Sequence, residues 1–227
     1  DDFFNINYIY RFLVQFFVSS IIIFSGFYIK SIGDYGYFNA NNLYIIGIIL
    51  TYLSILAITN AINFSDGIDG LSSSLIFNSI ITLFFFTFIS GTYHTDFFLI
   101  IFAIILFIFI FFNIGIFNKY KIFLGDSGST LIGFLFGWIL IYYASPVNNF
   151  IHPVLAIWCI TLPLYDLSNV IINRISNNKN PFKPDMSHMH HLLLKVLKSQ
   201  TKTLFLLICF SLMLNSIGGL IYFYFNP

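Results

Sequence analysis

Glutamate is absent from this chain: all nine of its acidic residues are aspartate. Charge of either sign is scarce, at 8% of 227 residues. Soluble domains carry roughly 25%, so an ordinary water-facing surface is excluded. The net charge of +1 says little about partners, and nucleic acid is not expected among them. Cysteine is limited to Cys159 and Cys209, both inside apolar runs, which argues against a disulfide framework. Position 1 is Asp rather than Met and no secretory signal precedes it, so the numbering is expected to begin partway into a longer protein.

What the chain does have is apolar bulk, 58% hydrophobic with 31 Phe and 14 Tyr. Apolar runs occupy about 8–29, 43–59, 71–90, 97–117, the stretch after Ser129 to about 143, 154–172 and 204–225. Several are close to the ~20 residues a membrane span needs. The expected fold is an all-α polytopic membrane bundle of about seven transmembrane helices. It forms one membrane-embedded domain over 1–227, with a kink at Pro163 and one long polar His-containing loop over 173–203.

Lys119, Lys121, Arg174, Lys179, Lys183, Lys195, Lys198 and Lys202 follow the fourth run or lie between the sixth and seventh. The positive-inside rule places those loops in the cytoplasm. Alternation then puts Asp1, Asp2, Asp66, Asp69, Asp126 and the basic loop on that same face, and Lys30, His94 and Asn148 on the other. Acids in unrelated turns would fall on both sides, so this convergence points to a single site on the cytoplasmic face of the membrane.

Asn60, Asn63, Asp66 and Asp69 recur every three residues through Asn-Ala-Ile-Asn-Phe-Ser-Asp-Gly-Ile-Asp-Gly-Leu, a spacing that on a helix drifts slowly around one face. Such a cluster between apolar runs is by itself as often a plain turn. Ionisable groups at a membrane edge are costly, and that cost suggests function. Several Asp with Asn neighbours and no nearby Cys are hard oxygen donors, suited to Mg2+ or Mn2+ rather than zinc or copper. Mg2+ typically takes one or two protein carboxylates and fills its shell with water and substrate phosphates. A phosphate-bearing substrate, one of them a lipid, follows for a membrane enzyme of phosphoryl transfer. His188, His190 and His191 are poorly spaced to give three zinc ligands from one helix, and no Cys is near. With Arg174 and Lys183 they are expected to hold phosphate oxygens through charge-assisted hydrogen bonds, against the plainer reading of a solvated basic loop.

These motifs, in this order, resemble the polyprenyl-phosphate N-acetylhexosamine-1-phosphate transferases. The resemblance rests on Asp1-Asp2, on the stretch from Asn60 to Leu71, on Phe123-Leu124-Gly125-Asp126, and on the loop Pro181-Phe182-Lys183-Pro184-Asp185 with His188, His190 and His191. It is strongest to the WecA branch, and everything before the aspartate pair is lacking. The resemblance implies transfer of N-acetylglucosamine 1-phosphate from UDP-N-acetylglucosamine to undecaprenyl phosphate with Mg2+ or Mn2+, releasing UMP and starting a cell-surface polysaccharide. It also implies roles. Asp126 is the metal ligand, with Asn63 and Asp66 at the metal or diphosphate, Asp69 at the nucleotide end, and Asp1 or Asp2 orienting or deprotonating the lipid phosphate. Phe123 stacks on uracil, Asn60 and Asn113 contact substrate, and the three histidines close over the diphosphate. Arg174 and Lys183 are cationic contacts. Other N-acetylhexosamine donors of the teichoic acid, O-antigen or peptidoglycan branches stay open, as do a covalent aspartyl-phosphate, a homodimer, an ion-coupled transporter and an inactive remnant.

Overall fold

Helices account for every regular element in the described residues of the computed structural model, which are 8–33, 43–94, 96–180 and 187–225. The α-helices in chain order are α1 (Tyr8–Phe24), α2 (Tyr44–Phe64), α3 (Leu71–Ile89), α4 (Phe97–Ile114), α5 (Gly125–Ala144), α6 (Pro153–Cys159), α7 (Thr161–Ser176), α8 (Met189–Leu197) and α9 (Gln200–Phe225), with one 3-10 turn at Asn118–Tyr120. Five of them, α2, α3, α4, α5 and α9, are long and apolar enough to cross a membrane, and the bent α6–α7 pair makes a sixth if counted as one span. α1 has 17 residues and falls short of that length. The chain is a multi-pass membrane bundle. α4 presents Phe97, Phe98, Ile101, Ile104, Ile105 and Ile108 outward, as a helix bordered by lipid does.

α2 and α5 form the most extensive helix pair, and a missing side chain lets them meet. A Cβ on Gly133 would sit 3.1 Å from Thr59 Cα and 3.2 Å from its carbonyl oxygen. Small residues are the usual device for bringing membrane helices close, because lipid tails supply no hydrophobic drive for association. The pairing sets Asn63, near the end of α2, beside Asp126 in the first turn of α5. Around it, Ile62, Ile76, Ile80, Leu83, Phe86, Phe136 and Leu155 form a fully buried core. α3 and α9 are joined by polar contacts inside that apolar setting, Asn78 Nδ2 donating to Ser211 Oγ at 3.0 Å and Asn215 bonded to Thr82 at 2.8 Å.

The sixth apolar run is broken where a kink was expected, but one turn earlier. α6 and α7 meet at 76° around Ile160, not at Pro163. Proline is nonetheless the cause. Its ring removes the N–H that would bond the carbonyl four residues back and crowds that carbonyl. The residue four back is Cys159, whose oxygen accepts instead from Ser79 Oγ of α3 at 2.6 Å. The long polar segment likewise is not all loop: α7 extends to Ser176, and α8 packs Met189, Leu193 and Leu194 against a second apolar cluster with Ile68, Leu71, Leu204 and Leu207.

Candidate active site

Helix α2 stops at Phe64, so Asn60, Asn63, Asp66 and Asp69 do not share one helix. The chain turns through Ser65 to Gly70, and Gly70, at φ +81°, opens α3 in the left-handed region that favours glycine. This turn is fixed at every residue that carries chemistry. Ser72 Oγ donates to Asp66 Oδ1 at 2.5 Å. Lys121 Nζ donates to Asp69 Oδ2 at 2.7 Å. Ile68, between the two acids, is buried in the α8–α9 cluster. Buried Asn113 braces the turn from α4: its Oδ1 accepts from the Gly70 N–H at 2.5 Å and its Nδ2 donates to Ile122 O at 2.8 Å.

Asp126 faces this turn from α5. Its carboxylate is not spent on capping its own helix; Leu124 precedes α5 without a side-chain cap. Arg11 Nη2 donates to Asp126 Oδ2 at 2.6 Å, and Asn63 Nδ2 lies 3.4 Å from Oδ1 while donating to Ser129 Oγ at 2.9 Å. Asp66, Asp69 and Asp126 thus line one polar cleft of about 400 Å3, together with Asn113, Phe123 and Gln200. Phe123 is 71% exposed, and Lys121 Nζ stands 5.0 Å from its ring centre. Among the described residues no three His, Cys, Asp or Glu are close enough to hold a metal by themselves. The donors present are carboxylate and carboxamide oxygens, which fit a hard divalent cation that draws the rest of its shell from water and phosphate.

The histidine loop is tied to the back of the same turn. Buried His188 places Nδ1 2.9 Å from Asp166 Oδ2, and its ring lies 5.3 Å from that of Phe64. His190 is 2% exposed with Nε2 unbonded, and a Cβ on Gly67 would come within 1.9 Å of that nitrogen. Burial pushes the His190 imidazole down to about 4, helped by the neighbouring His191 and His188 and opposed by Asp166. His190 is therefore neutral near pH 7 and wedged against the turn at Gly67, where the sequence leads us to expect a charged group. His191 lies beside it, ring centres 4.1 Å apart.

That wedge has a pH signature. A histidine whose folded-state pKa is lowered favours the fold while neutral. Its contribution is complete above about pH 6.5 and is lost as pH falls from there to about 4. The loss is on the order of 3 kcal/mol. The difference in thermal midpoint between the wild type and His190→Gln should narrow from pH 7 to pH 4.5; a constant difference would show that His190 does not carry it.

Other expected residues are placed elsewhere. Asn60 turns to α1, its Nδ2 donating to Leu56 O at 2.7 Å and Gln15 Oε1 at 3.2 Å, and does not line the cleft. Arg174 is buried in the last turn of α7, also outside the cleft lining. Asp1, Asp2 and Lys183 lie outside the described residues. The structure adds Arg11, Lys121, Ser72, Gln200 and Asp166, none of which the motifs single out. Arg11 left one usable signal: a lone arginine in an apolar run is costly without a partner.

Residues 1–144 of this chain match the family described as Glycosyl transferase family 4. The chain belongs to that family. An undecaprenyl-phosphate alpha-N-acetylglucosaminyl 1-phosphate transferase of Escherichia coli O157:H7 is 34% identical over 243 residues, covering 100% of this chain and 63% of the relative. Its namesake in Escherichia coli K12 is 35% identical over 200 residues, 86% of this chain and 51% of the relative. One from Haemophilus influenzae is 44% identical over 92 residues, 40% of this chain and 26% of the relative. This family 4 chain thus spans between half and just under two thirds of the two Escherichia coli relatives.

Proposed function

We propose that this family 4 protein transfers N-acetylglucosamine 1-phosphate from UDP-N-acetylglucosamine to undecaprenyl phosphate, giving undecaprenyl-diphospho-N-acetylglucosamine and UMP. The observation that carries the reading is the meeting of Asp66, Asp69 and Asp126 in one polar cleft at one end of the bundle. A coupled transporter would place such acids near the middle of its spans.

In the reaction an oxygen of the lipid phosphate attacks the sugar-bearing phosphorus of the donor, and the bond to the UMP oxygen breaks. Phosphoryl transfer of this kind needs positioning and charge neutralisation more than covalent help. Asp126, with Asp66, would hold a Mg2+ or Mn2+ ion, which would supply charge neutralisation on the diphosphate. Arg11 and Lys121 hold the carboxylates in place and carry cationic N–H groups of the kind that bind phosphate oxygens. Asn63 orients Asp126, Phe123 offers an exposed ring for the uracil, and Asp1 or Asp2 is assigned to the acceptor phosphate. Phosphate monoesters already lose their second proton near pH ~6, so orientation matters more than proton removal. The bent α6–α7 pair opens an apolar groove of about 490 Å3 against α2 and α5, between Pro146 and Leu164, which suits an isoprenoid chain. The cleft faces the cytoplasm of a bacterial inner membrane by the distribution of Lys and Arg.

Purified full-length protein supplied with radiolabelled UDP-sugars one at a time tests the donor. Lipid-extractable label from UDP-N-acetylglucosamine is expected; label from another UDP-N-acetylhexosamine alone, or from none, would overturn the assignment.

A further inference from the structure

Asp166 is the one aspartate on α7, and the reaction as derived above leaves it without a part. It is buried, and both of its oxygens are committed to residues far along the chain. Oδ2 meets His188 Nδ1 at 2.9 Å, and Oδ1 accepts the Met189 N–H at 2.8 Å. Met189 is the first residue of α8, so the carboxylate both caps that helix from a neighbouring one and holds the ring of the residue before it. A carboxylate only accepts hydrogen bonds, so His188 Nδ1 must carry the proton. Nε2, on the far side of the ring, is then a lone pair in the neutral form and a second N–H donor in the cation. The ring is also held in place by Phe64, which ends α2 just before the catalytic turn, and by stacking at 5.9 Å on His190, which rests against Gly67.

We propose that Asp166 is a positioning residue for the transfer reaction: it selects the Nδ1–H tautomer of His188 and, through that ring's contacts with Phe64 and His190, sets the turn that carries Asp66 and Asp69. The proposal rests on the transfer function argued above. It ties the bent α7 helix, which lines the apolar groove through Leu164, to the histidine loop above the catalytic turn.

Asp166→Asn separates positioning from packing. The side chain keeps its size, and the Met189 N–H fixes the amide oxygen on its own side. The amide nitrogen is left to donate to His188 Nδ1, which forces the proton onto Nε2. Histidine 15N spectra of the full-length protein in lipid nanodiscs, with His188 assigned by its loss in His188→Gln, report the tautomer without donor present. In the wild type Nδ1 should be protonated and Nε2 bare, and in Asp166→Asn the pattern should reverse. Turnover of Asp166→Asn should fall about 100-fold with KM for the UDP-sugar changed by less than about 3-fold and an unchanged thermal midpoint. Asp166→Glu, which restores the carboxylate, should recover part of the turnover. A wild-type Nε2–H, a reversed tautomer with full turnover, or a loss of activity that only tracks a loss of stability would each overturn the proposal. If the unaltered protein transfers nothing, the proposed function falls and the positioning role with it, while the tautomer assignment is still decided by the spectra.

Discussion

Asp126→Asn should lower turnover on the order of 1000-fold, the scale seen when one preorganised electrostatic group is removed from an active site. The substitution is nearly isosteric. An amide oxygen in place of Oδ1 still accepts from Asn63, and the hydroxyl bonds from Ser129 and Thr130 to the Asp126 carbonyl are untouched. What is lost is the negative charge. The amide nitrogen that replaces Oδ2 faces the Arg11 guanidinium donor to donor, and the cleft loses one of its three carboxylates. The pair is partly exposed, at 31% and 43%, so screening keeps its contribution to stability small. Transfer of labelled sugar phosphate should therefore collapse in a variant that still inserts and folds. Near-normal turnover at ordinary Mg2+ would remove Asp126 from both the metal and the charge role.

Gly67→Ala is the second large effect, and it acts without touching a charge. The added methyl would lie 1.9 Å from His190 Nε2, 2.6 Å from Cδ2 and 2.9 Å from Cε1. His190 cannot swing aside easily, being 2% exposed and flanked by His188, His191 and the α8–α9 cluster. Overpacking of this kind costs roughly 1–3 kcal/mol. Relief by moving the turn would displace Asp66 and Asp69, and a shift near ~1 Å at reacting groups can cost about 100-fold in rate. The strain has one identifiable source, so a second substitution should relieve it. Gly67→Ala combined with His190→Ala should turn over faster than Gly67→Ala alone. If the double variant is as slow as the product of the two single defects, the clash with His190 is not what makes Gly67 necessary.

The sequence carried the large-scale arrangement because charge and hydropathy act at that scale. Few Lys and Arg on one set of loops were enough to bring Asp66, Asp69 and Asp126 to the same end, where the structure has them. The seven apolar runs correspond to α1, the five long helices and the broken α6–α7 pair. Side-chain pairing between helices was not legible, because it depends on helix rotation and on where a helix stops. Regular spacing of three suggested one continuous face from Asn60 to Asp69, but α2 ends at Phe64, and Asn60 is rotated toward Gln15 of α1. Proline predicted a kink without revealing that its missing N–H would be felt at Cys159, or that Ser79 would take the freed carbonyl. Three nearby histidines looked alike in the sequence; burial makes His190 a neutral wedge, and a carboxylate 22 residues earlier makes His188 a fixed ring.

Fate of the donor's two phosphates tests the central claim most directly. UDP-N-acetylglucosamine labelled with 32P at the sugar-linked phosphate, incubated with the full-length protein and undecaprenyl phosphate, should yield radioactive lipid and unlabelled UMP. Label retained on the nucleotide as UDP would mean transfer of the sugar without its phosphate, and would contradict a cleft that works by passing a phosphorus centre between two phosphorylated partners.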